Sequence, residues 1–280
     1  MTERFSAFSF VDRITRLEPG IRATGRYWVP GAVAQFPPSL VAEAVGQLAA
    51  WASMSQLDFR FRPVAGLAGE ALFARDVAPG QTLDLEVGIE SCDEGAISYG
   101  GTARVDGWQV LALNHCVGPM LPMDEFDAPE AVRADFEVLR GAGAPAGRFR
   151  GVPPRAVAII ERVPGERLRA ELRVPETAPF FGDHFPRRPV FPGTLLLDTQ
   201  IGLAVELAGE AAPLRHAGIL APVRASDVKM RSFIPPGQVL ELRLELQSAT
   251  PDGATISLAA LANGKSVSTG RAEIAPRRMS

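Results

Sequence analysis

The chain has 280 residues, a formal net charge of −3 and 46% apolar residues. That is enough for two domains with substantial cores, and it offers no global positive field of the kind that attracts nucleic acid. Its two cysteines, Cys92 and Cys116, supply neither a disulfide framework nor zinc-ligand spacing. Every apolar run is broken by a charge, Pro or Gly before it reaches membrane-spanning length, and Met1 to Phe5 carry no leader pattern, so a soluble cytoplasmic protein is expected.

Taken in order, the chain reads as one pattern written twice. Phe10-Val11-Asp12-Arg13-Ile14 returns as Ile159-Ile160-Glu161-Arg162-Val163, and Pro19-Gly20 returns as Pro164-Gly165. Val29-Pro30 matches Val174-Pro175, and Phe36-Pro37 through Glu43 matches Phe191-Pro192 through Asp198. Pro79-Gly80-Gln81-Thr82-Leu83 matches Pro236-Gly237-Gln238-Val239-Leu240. Each copy reads as a strand, a loop, an apolar helix and then several strands. Leu83, Leu85, Val87 and Ile89 alternate with Asp84, Glu86 and Gly88, and Leu240 to Leu246 alternate likewise, the period of half-buried strands. Asp106-Gly107 and Asn263-Gly264 predict type I′ hairpin turns. Between the copies, Pro129 opens a charged helix that runs to about Arg140 and stops at a Gly-rich stretch. The expected organisation is a first repeat at 1–119, a helical connector at 120–154 and a second repeat at 155–280.

The copies differ at one place. Seventeen residues separate Val174 from Phe191, but only seven separate Val29 from Phe36, so the first copy lacks ten residues of loop. In the second copy that loop contains Phe180-Phe181-Gly182-Asp183-His184-Phe185-Pro186 and leads through Pro189 and Pro192 to Gly193. The prolines bar helix before Gly193, and Thr194 is a fair N-cap. The following run, Leu195 to Val205, carries a single charge, Asp198. Glu43 is likewise the single charged residue between Tyr27 and Leu57, with Gln47 one turn on along the same face. A histidine, a helix N-terminus bearing glycine and an acid in an oily helix are the parts of an acid–base site acting on a carbonyl compound.

His184-Phe185-Pro186-x-x-Pro189-Val190-Phe191-Pro192-Gly193, with Asp198 fourteen residues after the histidine, resembles the 3-hydroxyacyl-[acyl-carrier-protein] dehydratases. One position departs: that pattern has glycine before the histidine, where this chain has Asp183. The resemblance implies an α+β fold, the hotdog, in which an antiparallel sheet wraps a long helix. Two copies would form a double hotdog, a dimer fused into one chain, with further homo-oligomers open. It also implies dehydration of acyl carrier protein or coenzyme A thioesters without metal or redox cofactor.

By the same resemblance His184 is the base, Gly193 the backbone donor to the thioester oxygen and Glu43 the acid, held protonated by burial. Gln47 would contact substrate, and it orients Glu43, binds water or simply packs. Phe185, Val190 and Pro192 would contact substrate, while Arg187 and Arg188, with Lys229 and Arg231, would meet the carrier and its arm. Asp198 would be a structural or vestigial acid, because the histidine that would partner it belongs to the missing loop. Two rivals remain: a hotdog thioesterase, and a non-catalytic acyl-binding or partner protein. His115 and His216 read as structural, Trp28, Trp51 and Trp108 as core or interface aromatics, and Cys116 as a small buried hydrophobe.

Overall fold

In the computed structural model, which describes residues 5–152 and 154–277, the chain forms thirteen strands and four α-helices. Residues 1–4, read above for a leader, lie outside the described residues, as do position 153 of the connector and 278–280 of the second repeat. The first half runs β1 (Arg13–Glu18), β2 (Arg22–Trp28), α1 (Pro38–Gln56), β3 (Phe61–Pro63), β4 (Leu67–Phe73), β5 (Thr82–Cys92), β6 (Ala96–Val105) and β7 (Trp108–Pro122). The helix α2 (Pro129–Arg140) follows. The second half runs β8 (Ala156–Val163), β9 (Arg167–Arg173), α3 (Phe180–Asp183), α4 (Gly193–Glu210), β10 (Leu220–Met230), β11 (Val239–Thr250), β12 (Gly253–Ala262) and β13 (Lys265–Pro276).

One sheet holds both halves in the order β1-β2-β5-β6-β7-β4-β10-β13-β12-β11-β9-β8, with β3 pairing off this path to β7. Read outward from the β4–β10 junction, the two halves have the same order, so a pseudo-twofold axis passes between those strands. At the junction Leu72 pairs with Arg224, Glu70 with Ser226 and Ala68 with Val228, all antiparallel. The strands alternate as their sequences require: Leu83, Leu85 and Val87 on β5, and Leu240, Leu242 and Leu244 on β11, turn inward and are almost fully buried. Asp106-Gly107 and Asn263-Gly264 both have positive φ at both residues, as type I′ turns demand.

The helices α1 and α4 lie in contact against this sheet. Pro37 stands extended ahead of α1 and Pro38 occupies its first turn, where the missing N–H costs nothing. Leu40, Val41, Val45 and Leu48 of α1, like Leu196, Ala204 and Leu207 of α4, belong to one continuous core. No helix among the described residues is long and apolar enough to cross a membrane.

Two local expectations are corrected. The stretch before His184 is not all loop, since Phe180–Asp183 makes one helical turn whose Phe180 and Phe181 are buried. Of the two readings of Trp108, core or interface, the structure removes the first: the side chain is 64% exposed and lies under the Arg75 guanidinium at 4.8 Å. Trp51, by contrast, packs half-buried against Phe136 of α2.

Candidate active site between the two helices

Helix α4 begins at Gly193, with Pro192 as its extended N-cap residue. Thr194 is therefore not the cap. It lies within the first turn, and its hydroxyl donates instead to Oε2 of Glu43 on α1 at 2.8 Å. The other carboxylate oxygen of Glu43 accepts from Nε2 of Gln47 at 3.0 Å, one turn along the same helix. The start of α4 thus lies beside the acid of α1. Burial raises the Glu43 carboxyl above the usual glutamate range, against the lowering pull of Gln47, Thr194 and Arg62.

His184 is presented by a loop fixed at several points. Its own N–H donates to Phe180 O at 2.9 Å, Arg187 N–H donates to Phe126 O at 3.0 Å, and Phe191 N–H donates to Ile234 O at 2.7 Å. Phe185 takes a positive φ of 62°. It is buried with Val64, Phe126 and Val190 in a small apolar cluster of its own. The ring Nδ1 lies 3.0 Å from Val190 O. A carbonyl can only accept, so Nδ1 carries the proton and Nε2 keeps its lone pair. Burial, reinforced by the Arg62 cation, lowers the imidazole to about 4, with the Val190 hydrogen bond opposing. The ring is thus neutral at physiological pH, with its lone pair on Nε2, and the same burial makes it a weaker base than a free imidazole.

A cavity of about 480 Å³ brings these groups together: Glu43, Gln47, His184, Gly193 and Thr194 all line it. Phe185 and Val190 line it as well. Pro192 does not, its carbonyl being engaged by the N–H groups of Leu195 and Leu196. Arg187 and Arg188 also lie off the cavity wall: Arg187 donates to Asp124 O, and Arg188 pairs with Glu125 over the Phe233 ring. Lys229 is not on the wall either, whereas Arg231 is. Gly193 is the first residue of α4, where backbone N–H groups have no intrahelical acceptor. A Cβ there would meet the Met230 side chain at 3.3 Å.

Asp198 sits elsewhere. It is paired with Arg155, whose guanidinium also donates to Leu195 O at 2.9 Å, and neither residue lines the main cavity. Ser39 occupies in α1 the position that Thr194 occupies in α4, yet its hydroxyl is buried without a hydrogen-bond partner among the described residues. The two ends of the pseudo-twofold are therefore chemically unlike.

Three features escaped sequence reasoning. Arg62, from β3, lines the cavity with its guanidinium 4.6 Å from the Phe185 ring centre. Tyr99 and Cys116 line it together. Burial pushes the Cys116 thiol up to about 11 against a hydrogen bond with Tyr99. The one sequence signal for Tyr99 was Gly46 inside a helix-favouring run: a Cβ at Gly46 would come within 3.3 Å of the Tyr99 hydroxyl. Phe5, Phe8 and Ser9 also line the cavity, with Phe8 edge-on to His184 at 5.4 Å. No cluster of side chains suited to a metal ion is present among the described residues.

The profile of the ApeI-like family, described as ApeI dehydratase, matches residues 161–271. The chain is 32% identical over 89 residues to the 3-hydroxyacyl-[acyl-carrier-protein] dehydratase FabZ of Myxococcus xanthus, covering 31% of this chain and 58% of that one. To the enzyme of the same name from Novosphingobium aromaticivorans it is 31% identical over 123 residues, covering 42% of this chain and 74% of that one. The match thus spans little more than half of the first relative and about three quarters of the second. Among solved structures, a putative oleoyl thioesterase from Lactobacillus plantarum superposes with a TM-score of 0.59 at 10% identity, over 92% of this chain and 97% of that one. At so low an identity that likeness shows the fold alone, a double hotdog.

Proposed function

The chain belongs to the 3-hydroxyacyl-[acyl-carrier-protein] dehydratase family, and from that premise we propose that it removes water from 3-hydroxyacyl thioesters to give trans-2-enoyl thioesters. The carrier is acyl carrier protein or coenzyme A, and the setting is cytoplasmic fatty-acid or polyketide-like synthesis. The observation that carries this reading is the cross-repeat pair: an acid biased toward its protonated form, Glu43, and a neutral imidazole, His184, line one cavity at the start of α4.

In this mechanism Nε2 of His184 takes the proton from C2 of the substrate. The negative charge that develops on the thioester oxygen is met by the Gly193 N–H at the positive end of the α4 dipole. Glu43 gives its proton to the C3 hydroxyl as the C3–O bond breaks, so the products are the enoyl thioester and water. Proton exchange between the imidazolium and the Glu43 carboxylate, through that water, restores the starting states. Gln47 holds Glu43 in place, and its own hydrogen bonds, to Glu43, Phe8 and Phe10, suit orientation better than substrate contact. The apolar remainder of the cavity accepts the acyl chain. Within the chain, 1–119 supplies the acid, 155–280 supplies the histidine loop, and 120–154 joins them.

Incubation with a 3-hydroxyacyl thioester tests the reading. Appearance of the enoyl absorbance without free thiol is expected. Release of thiol would instead make the protein a thioesterase, and an unchanged substrate would make it an acyl-binding partner.

A further inference from the structure

We propose that Asp183 is a positioning residue for His184, fastening residues 5–10 as a strap across the imidazole so that the ring holds one orientation and is shielded from water. The proposal rests on the reading of His184 as the base. Oδ2 of Asp183 accepts the N–H groups of Ala7 at 2.6 Å and Phe8 at 2.8 Å, with Ser9 Oγ at 3.5 Å. From the other side of the cavity, Oε1 of Gln47 accepts the Phe10 N–H at 2.8 Å, while its Nε2 donates to Phe8 O at 3.0 Å. Four backbone groups of the strap are thus held by two side chains. One precedes His184 directly, and the other follows Glu43 by one helical turn.

Between these anchors Phe8 is 3% exposed and packs edge-on against both His184, at 5.4 Å, and Phe180, at 6.2 Å. The strap is not part of any strand, so without Asp183 and Gln47 these backbone groups would need water, and that water would stand beside the imidazole. A carboxylate accepting two N–H groups makes charge-assisted bonds that a neutral acceptor matches only in part. Glycine, the residue of the resembled pattern, could make none of them. The departure at position 183 therefore has a physical purpose: it ties the start of the chain to the histidine loop 174 residues or more away.

The charged groups lining the cavity with the ring are Arg62 from β3, Glu43 from α1, Asp183 from its own segment, Asp127 ahead of α2, Asp135 on α2, and Arg231 after β10. Removing the strap restores water to the ring, so its affinity for a proton rises toward that of a free imidazole. That change is readable without turnover, by NMR titration of the His184 ring; the other two histidines, His115 and His216, are exposed.

The experiment compares the full chain with Asp183→Gly, Asp183→Asn and Phe8→Ala. It measures melting temperature, kcat and KM for a 3-hydroxyacyl thioester from pH 4 to 8, and the His184 titration. The expected result for Asp183→Gly is a folded protein whose kcat falls roughly five- to tenfold, the scale of one lost tether. Its acid limb and its His184 titration should both move from near 4 toward 6.5. Phe8→Ala should reproduce the shift, and Asp183→Asn, which keeps an acceptor oxygen, should recover most of the wild-type behaviour. A His184 titration unmoved in both Asp183→Gly and Phe8→Ala overturns the proposal, as does an Asp183→Asn variant as impaired as Asp183→Gly. A shifted titration in a protein that has no dehydratase activity even as wild type overturns the functional reading and leaves the strap standing.

Discussion

The Thr194 hydroxyl, in the first turn of the second repeat's long helix, donates to the carboxylate of Glu43 in the first repeat at 2.8 Å. This bond joins residues 151 positions apart, and it fixes the acid of one copy beside the helix N-terminus of the other. A neighbouring hydroxyl is a sensible partner for a carboxyl that must give up a proton and take it back, because it can serve both states.

Thr194→Val keeps the shape of the side chain and removes that donor. We expect kcat to fall about tenfold, the scale of one hydrogen bond, with KM nearly unchanged and the melting temperature within a few degrees of wild type. A Thr194→Ser variant should retain most of the activity. Equal turnover by the valine and wild-type proteins would make the bond incidental.

The two titrating groups pull stability in opposite directions. His184 has its folded value lowered to about 4 from 6.5, so between those limits the unfolded chain binds a proton that the folded one refuses. Its contribution is present above about 6.5 and is lost as pH falls toward 4. Glu43 is raised from its ordinary 4.5, so its contribution is present below that value and is lost as pH rises through the folded value. Thermal melts at pH 4.5 and pH 8 check both signs. His184→Gln should narrow the loss on acidification, and Glu43→Gln should gain stability at pH 8 relative to wild type. Unchanged differences between the two pH values would contradict the burial of both groups.

Gly193→Val brings a side chain against Met230, which the first added carbon alone would approach to 3.3 Å. The thioether is flexible and will yield, but into the cavity. Turnover should drop by about 10²–10³, the cost of losing one oxyanion donor, while stability falls little. Adding Met230→Ala should recover part of the lost rate if crowding is the cause. If the double variant is as slow as the single one, displacement of the N–H itself is responsible.

The fold was legible because it is written twice. Alternation on β5 and β11, the two type I′ turns and the paired apolar helices are all local patterns, and repetition removed their ambiguity. The double hotdog follows from them, with β4 and β10 closing the sheet across the pseudo-twofold. The polar contacts of the site were less legible, because they are made between segments far apart in the chain. Thr194 looked like a helix cap since hydroxyls usually are, but the extended Pro192 already begins the helix, and the hydroxyl is left for Glu43. Arg62 stands on a strand of three residues that carries no pattern of its own. Asp183 was visible only as a departure; its partners, the amides of Ala7 and Phe8, have no side-chain signature at all. Arg155, whose ion pair with Asp198 occupies the unlike end of the pseudo-twofold, lay unremarked at the first position of the second repeat.

The cross-repeat assignment of the acid is tested most directly by comparing enoyl-thioester formation by Glu43→Gln and Asp198→Asn. Glu43→Gln should lose roughly 10²–10⁴ of its rate, the scale of one positioned acid. Asp198→Asn should stay within a few-fold of wild type and lose about 1–2 kcal/mol of stability as Arg155 loses its partner. An active Glu43→Gln protein beside an inactive, folded Asp198→Asn protein would contradict the assignment and give the second repeat its own acid.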